Sequence, residues 1–133
     1  MSKRYFLLFC LTPLFLLGTG CGDSGPRLET VTGTVTLDGE PLSQGGISFE
    51  NPATGHAAGG KLEAGRFTVQ LPHGEYKVAL EPPMVEAPSP DGLSPPTQKP
   101  AVDLPRKYLS VTTTDLTAHV TGDSTEFDFQ LKK

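Results

Sequence analysis

Apolar and polar positions alternate from Thr30 onward. Val31, Gly33, Val35 and Leu37 interleave with Thr30, Thr32, Thr34 and Thr36. This gives a period-two strand with one apolar face and one hydroxylated face. Asp38-Gly39-Glu40-Pro41 follows, and Asp-Gly between alternating runs is a strong hairpin signal. Residues 46–50 place Ile47 and Phe49 on one face, and 51–55 read as a loop. Residues 58–63 form a short strand turning at Ala64-Gly65. Residues 66–71 direct Phe67, Val69 and Leu71 inward, and 75–81 direct Tyr76, Val78 and Leu80 inward after the turn Pro72-His73-Gly74. Two more strands close the pattern: 116–121, with Leu116, Ala118 and Val120 on one side, and 126–131, with Phe127, Phe129 and Leu131 inward and Glu126, Asp128 and Gln130 outward. No helical period competes over any useful length. Seven short strands with Gly and Pro turns predict an all-β fold, an antiparallel seven-stranded β-sandwich over 30–133.

One stretch departs from this rhythm. Residues 82–105 hold eight prolines. Each proline lacks the N–H that a central strand must donate, so the segment is expected to be a long, extended, partly disordered loop.

The first residues follow a different pattern. Lys3 and Arg4 precede a nearly continuous apolar run from Tyr5 to Leu17, and Gly18, Thr19 and Gly20 lead to Cys21. A charged start, a short apolar run and a small-residue exit describe a secretory signal peptide over 1–20. The run is shorter than the roughly 20 residues of a transmembrane helix and is interrupted by Pro13. Residues 21–29 read as a tether, polar and rich in Gly and Pro at its start. Leu17-Gly18-Thr19-Gly20-Cys21 resembles the lipobox of bacterial lipoproteins, with Gly18 where that family usually has an aliphatic residue. The resemblance implies that Cys21 becomes the mature N-terminus, with a diacylglycerol on its sulfur and a membrane lipid as its partner. Ordinary cleavage after Gly20 would instead release a secreted chain with a free thiol. Cys10 leaves with the signal in either case, so Cys21 has no disulfide partner, and a lone thiol in an oxidising compartment favours lipidation. Gly22, in place of the aspartate that retains some bacterial lipoproteins at the inner membrane, favours the outer membrane or cell surface. The expected location is the cell envelope.

A second resemblance lies in the strands. Val31-Thr32-Gly33-Thr34-Val35, Leu37-Asp38-Gly39-Glu40-Pro41-Leu42, Ile47-Ser48-Phe49, Gly65-Arg66-Phe67-Thr68 and Leu71-Pro72-His73-Gly74-Glu75-Tyr76-Lys77-Val78 together resemble a carboxypeptidase regulatory-like domain. The likeness spans about Val31 to Leu80, and Tyr108 to Leu131 looks like the closing strands. It implies a transthyretin-like (prealbumin-like) sandwich in a bacterial lipoprotein, with a structural or protein-binding role. Such domains are mostly non-catalytic modules.

Charge and chemistry narrow the function further. The formal charge is −4. Apart from Lys3 and Arg4, nine basic residues face fifteen acidic ones, about −6. No basic cluster offers to neutralise phosphates, so nucleic acid is not an expected partner. His56, His73 and His119 fall in a loop, a turn and a strand, too scattered for a zinc set, and Gly-x-Ser-x-Gly is absent. Asp38, Glu40 and Asp123 could meet around calcium, but turn chemistry explains them better. The transthyretin-like hydroxyisourate hydrolases end in Tyr-Arg-Gly-Ser, whereas this chain ends Phe129-Gln130-Leu131-Lys132-Lys133. No enzyme activity, cofactor, metal or catalytic residue is expected. A carbohydrate- or peptide-binding accessory module is the alternative, with a glycan or envelope protein as partner. A sugar platform usually presents flat aromatic faces. There is no Trp, and only Tyr108 reads as free of the core.

Overall fold

The structure is a computed structural model that describes Gly22 and residues 25–133. The segment 1–20 expected to be a signal peptide, Cys21 and residues 23–24 of the expected tether lie outside the described residues.

The described residues form ten strands: β1 (Leu28–Leu37), β2 (Glu40–Pro41), β3 (Gln44–Glu50), β4 (Ala57–Glu63), β5 (Arg66–Pro72), β6 (Gly74–Glu81), β7 (Met84–Ala87), β8 (Thr97–Pro100), β9 (Thr117–Val120) and β10 (Glu126–Leu131). Seven of them make one curled sheet in the order β10-β1-β5-β4-β3-β6-β9, and β2 adds to β1. The hairpin between β4 and β5 pairs only at Glu63 and Arg66, where the sheet folds over on itself. Phe49 on β3 therefore meets Phe67 on β5 at 5.6 Å and Phe129 on β10 at 6.4 Å between ring centroids. This is the β-sandwich that the alternation predicts, and its pairs are antiparallel apart from β1 with β10, which run parallel.

The inward positions read from the alternation are the core. Val31, Val35, Ile47, Phe49, Phe67, Leu71, Tyr76, Val78, Leu80, Val120 and Leu131 are all buried. Each large apolar side chain taken out of water contributes about 1.5–3 kcal/mol before chain entropy is charged against it. Gly33 is buried for a different reason. The carbonyl oxygen of Phe127 occupies the place a Cβ on residue 33 would take. A side chain there would push β10 off β1.

Turn chemistry ends the strands. Asp38 and Gly39 both adopt positive φ, 51° and 86°, as do Ala64 and Gly65, 50° and 77°. Two successive positive φ values make a two-residue hairpin turn whose twist matches its flanking strands. At the corner between β5 and β6, the Tyr76 hydroxyl donates to the Pro72 carbonyl oxygen at 2.9 Å. A tyrosine bonded back to the chain four residues upstream pins such a corner. The Pro72-x-Gly74-x-Tyr76 spacing thus has a mechanical reason.

Two expectations need correction. The Pro-rich segment 82–105 is not a plain loop. It contains the two-stranded ribbon β7–β8, paired from Met84 with Pro100 to Ala87 with Thr97. Pro88, Pro90, Pro95 and Pro96 lie between the two strands, and Pro100 ends β8. A two-stranded ribbon has only edge strands, which tolerate a missing donor. Tyr108 is not free either. A 3₁₀ turn at Arg106–Leu109 seats it in the core at 3% exposure, with Leu104 beside it in the same cluster.

The strand directions give the domain two ends. The start of β1, loop 51–56, His73 and loop 121–125 form the end where the tether enters. The Asp38-Gly39 and Ala64-Gly65 turns, Pro82-Pro83 and Lys132-Lys133 form the opposite end. The ribbon leaves the sandwich from this opposite end.

Candidate functional site

The tether end gathers all three histidines. His73 Nε2 lies 2.9 Å from Glu29 Oε1 on β1, and His119 Nδ1 on β9 lies 3.4 Å from Glu75 Oε1 on β6. His56 lines a cleft of about 420 Å³ with Pro26, Asn51, Thr54, Gly55, Pro72, His73 and Tyr76. Two polar side chains of this cleft, Asn51 and Tyr76, are committed to holding the fold. Asn51 Oδ1 accepts the N–H groups of Ala53 at 2.9 Å and Thr54 at 3.2 Å and so shapes loop 51–56. Its amide nitrogen packs where a side chain on Gly74 would go. The Tyr76 hydroxyl holds the corner, and burial pushes its phenol pKa up, against a smaller opposing pull from Asn51. A buried phenol kept neutral and donating to a backbone carbonyl is a structural group rather than a general base.

The acids considered for calcium are not brought together. Asp38 and Glu40 lie at the end opposite the tether, where Asp38 Oδ1 accepts the Lys133 N–H at 3.3 Å, and Asp123 lies at the tether end. Among the described residues, no three His, Cys, Asp or Glu side chains gather to hold a metal ion. Phe49, Phe67, Tyr76 and Phe129 are buried and Phe127 is partly buried, so none presents an open ring face. Lys107 crosses the Tyr108 ring at 4.5 Å and reaches Asp115 at 3.0 Å. Tyr108 first and Asp115 second hold its ammonium above the ordinary lysine value, and Lys107 in turn lowers Asp115.

Two surface features were not evident in the sequence. The ribbon exposes Met84 and Val85, and its tip exposes Leu93 at 93%. Asp91 organises that tip: Oδ1 accepts the N–H groups of Leu93 and Ser94, each at 3.1 Å, and Oδ2 accepts the Ser94 hydroxyl at 2.7 Å. These bonds, led by the Ser94 hydroxyl, hold the Asp91 carboxyl well below the usual carboxylate range. The second feature is the outer edge of β10, the terminal strand on one side of the curled sheet. Neither could be read from alternation, because an edge and a projection are properties of the topology. Comparisons with protein-family models, with curated proteins and with solved structures find no match for this chain.

Proposed function

We propose that this chain is a non-enzymatic lipoprotein of the cell envelope. It is anchored through Cys21 and carries a carboxypeptidase regulatory-like sandwich that binds other proteins. The observation that carries the reading is the polarity of the domain. The tether enters at one end, and the ribbon with its open Met84, Val85 and Leu93 leaves from the other. A domain held to a membrane at one end and projecting a ribbon with exposed Met84, Val85 and Leu93 from the other suits protein contact, because projecting loops and hairpins on a rigid scaffold are where binding residues concentrate. The Gly33, Gly39, Gly65 and Tyr76 positions that prompt the family likeness have roles in this sandwich that the family pattern would require, which supports the likeness on physical grounds.

The test of the anchor is the intact mass of membrane-fraction protein from wild type and Cys21→Ser. The expected wild-type chain begins at Cys21 with added acyl mass, and the variant loses that mass and its membrane association. A soluble, unmodified wild type cleaved near Gly20 would overturn the anchor.

A further inference from the structure

The ribbon indicates no partner chemistry, but the edge of β10 does. In its parallel pairing with β1, the Thr32 N–H donates to the Thr125 carbonyl at 2.9 Å and the Asp38 N–H to the Leu131 carbonyl at 2.9 Å. Odd-numbered residues of β10 therefore turn their main-chain groups toward β1. The intervening residues Glu126, Asp128 and Gln130 turn theirs away from it, toward an edge that no strand covers among the described residues. Their side chains are exposed on the outer face. Two of the three are acidic, and Asp128 is fixed in place by the Thr34 hydroxyl, which donates to its Oδ1 at 2.6 Å. Asp123, just before the strand, adds a third acid at the same end. On the inner face, Phe127 is only partly buried, stacked on Phe129 at 6.4 Å and 10°.

We propose that the β10 edge binds an extended segment of another protein that carries basic residues at alternate positions and apolar residues between them. This rests on the protein-binding reading above and supplies the chemistry of the partner. Added strands gain affinity from main-chain hydrogen bonds and specificity from alternate side chains. Glu126 and Asp128 would face the basic positions, and Phe127 would be covered by an apolar one. Opposite charges directly across a strand pair are favourable and like charges are not. Lys132 and Lys133 lie past the strand, so the basic positions belong opposite its first half.

A second copy of this chain fits less well. Two β10 edges paired antiparallel about Asp128 set that carboxylate against its own copy, and a shift toward the strand start sets Glu126 against Asp128. A shift the other way relieves this by bringing Lys132 opposite Glu126. Any antiparallel pairing, however, inverts one domain, so the two tethers leave from opposite ends, a poor arrangement for two chains held upright on one membrane.

The test uses the full chain in detergent micelles with two short fluorescent peptides, one alternating lysine with valine and threonine, the other with glutamate replacing lysine. The lysine peptide should bind and slow hydrogen exchange at the Glu126, Asp128 and Gln130 amides, and the glutamate peptide should not bind. Glu126→Lys with Asp128→Lys should weaken binding by about tenfold or more. Gln130→Pro keeps both acids and removes only an outward N–H, so it should abolish binding with an unchanged circular dichroism spectrum. Equal binding of both peptides, retained binding by Gln130→Pro, or protection elsewhere would overturn the proposal. So would wild-type self-association that Gln130→Pro abolishes, which would identify a second copy as the occupant. The mass measurement on Cys21 is independent of all these outcomes, so a failure here leaves the anchor reading standing.

Discussion

At the residue scale, the turns show how closely local chemistry follows backbone geometry. The Asp38-Gly39 turn has a near-ideal pair for two positive φ values. The Ala64-Gly65 turn does not, because Ala64 holds φ 50° with a Cβ and no side-chain polar group. An L-residue without local hydrogen bonding is strained in this region, whereas Asn tolerates it and is favoured at this position. Ala64 is exposed, so a larger side chain meets no core atoms. Ala64→Asn should stabilise the domain by about 0.5–1 kcal/mol, read as a higher midpoint in chemical denaturation at unchanged slope. A lower midpoint would show that Ala64 is not strained as the backbone implies.

At the element scale, the strands were legible and their surroundings were not. Alternation located the inward faces of β1, β3, β5, β6 and β10 because a half-buried strand must alternate whatever it pairs with. It is silent about partners. Nothing local joins Thr34 to Asp128, which lie 94 residues apart and meet only in the parallel pairing of β1 with β10. The outward direction of Glu126 and Asp128 was therefore readable, but the open edge beside them was not. Tyr108 was misread because its burial depends on a 3₁₀ turn packing across β6, a contact with no period of its own. The ribbon was missed because proline density argues against central strands and says nothing against a two-stranded one. Asp91 makes the ribbon tip testable by pH. Its carboxyl is lowered in the folded state, so the stabilisation it provides is complete above the ordinary carboxylate value of about 3.9 and is lost as pH falls below it. The Leu93 and Ser94 amide resonances should stay unchanged from neutral pH to about pH 4 and shift only at lower pH. Asp91→Ala should remove that step. A transition centred on the ordinary value would mean that the bonds to Ser94 and Leu93 do not hold the tip in solution.

At the scale of the whole molecule, the directions of β1 and β10 decide what faces the membrane if Cys21 carries lipid. Seven steps of chain from Cys21 to Leu28 reach at most about 25 Å. The ten residues of β1 extend roughly 30 Å farther, to the Asp38-Gly39 turn. Charge does not set this orientation: Glu29, Glu50, Glu75, Asp123 and Glu126 stand near the tether end, while at the opposite end Asp38, Glu40, Glu63 and Glu81 are offset by Arg66, Lys132 and Lys133. The short tether alone therefore turns His56, His73 and Gly122 toward the lipid, against the repulsion an anionic bilayer exerts on the more acidic end. The lipidated chain on vesicles that carry a spin label at the headgroup should therefore show strong relaxation enhancement at those amides and little at Gly39 and Gly65. Raised salt should preserve or sharpen the contrast, because it screens the repulsion of the acidic tether end and leaves the tether's length unchanged. Equal broadening at both ends would mean that the domain lies flat or tumbles freely. The β10 edge would then no longer stand upright from the membrane, and the main objection to pairing with an inverted second copy would disappear.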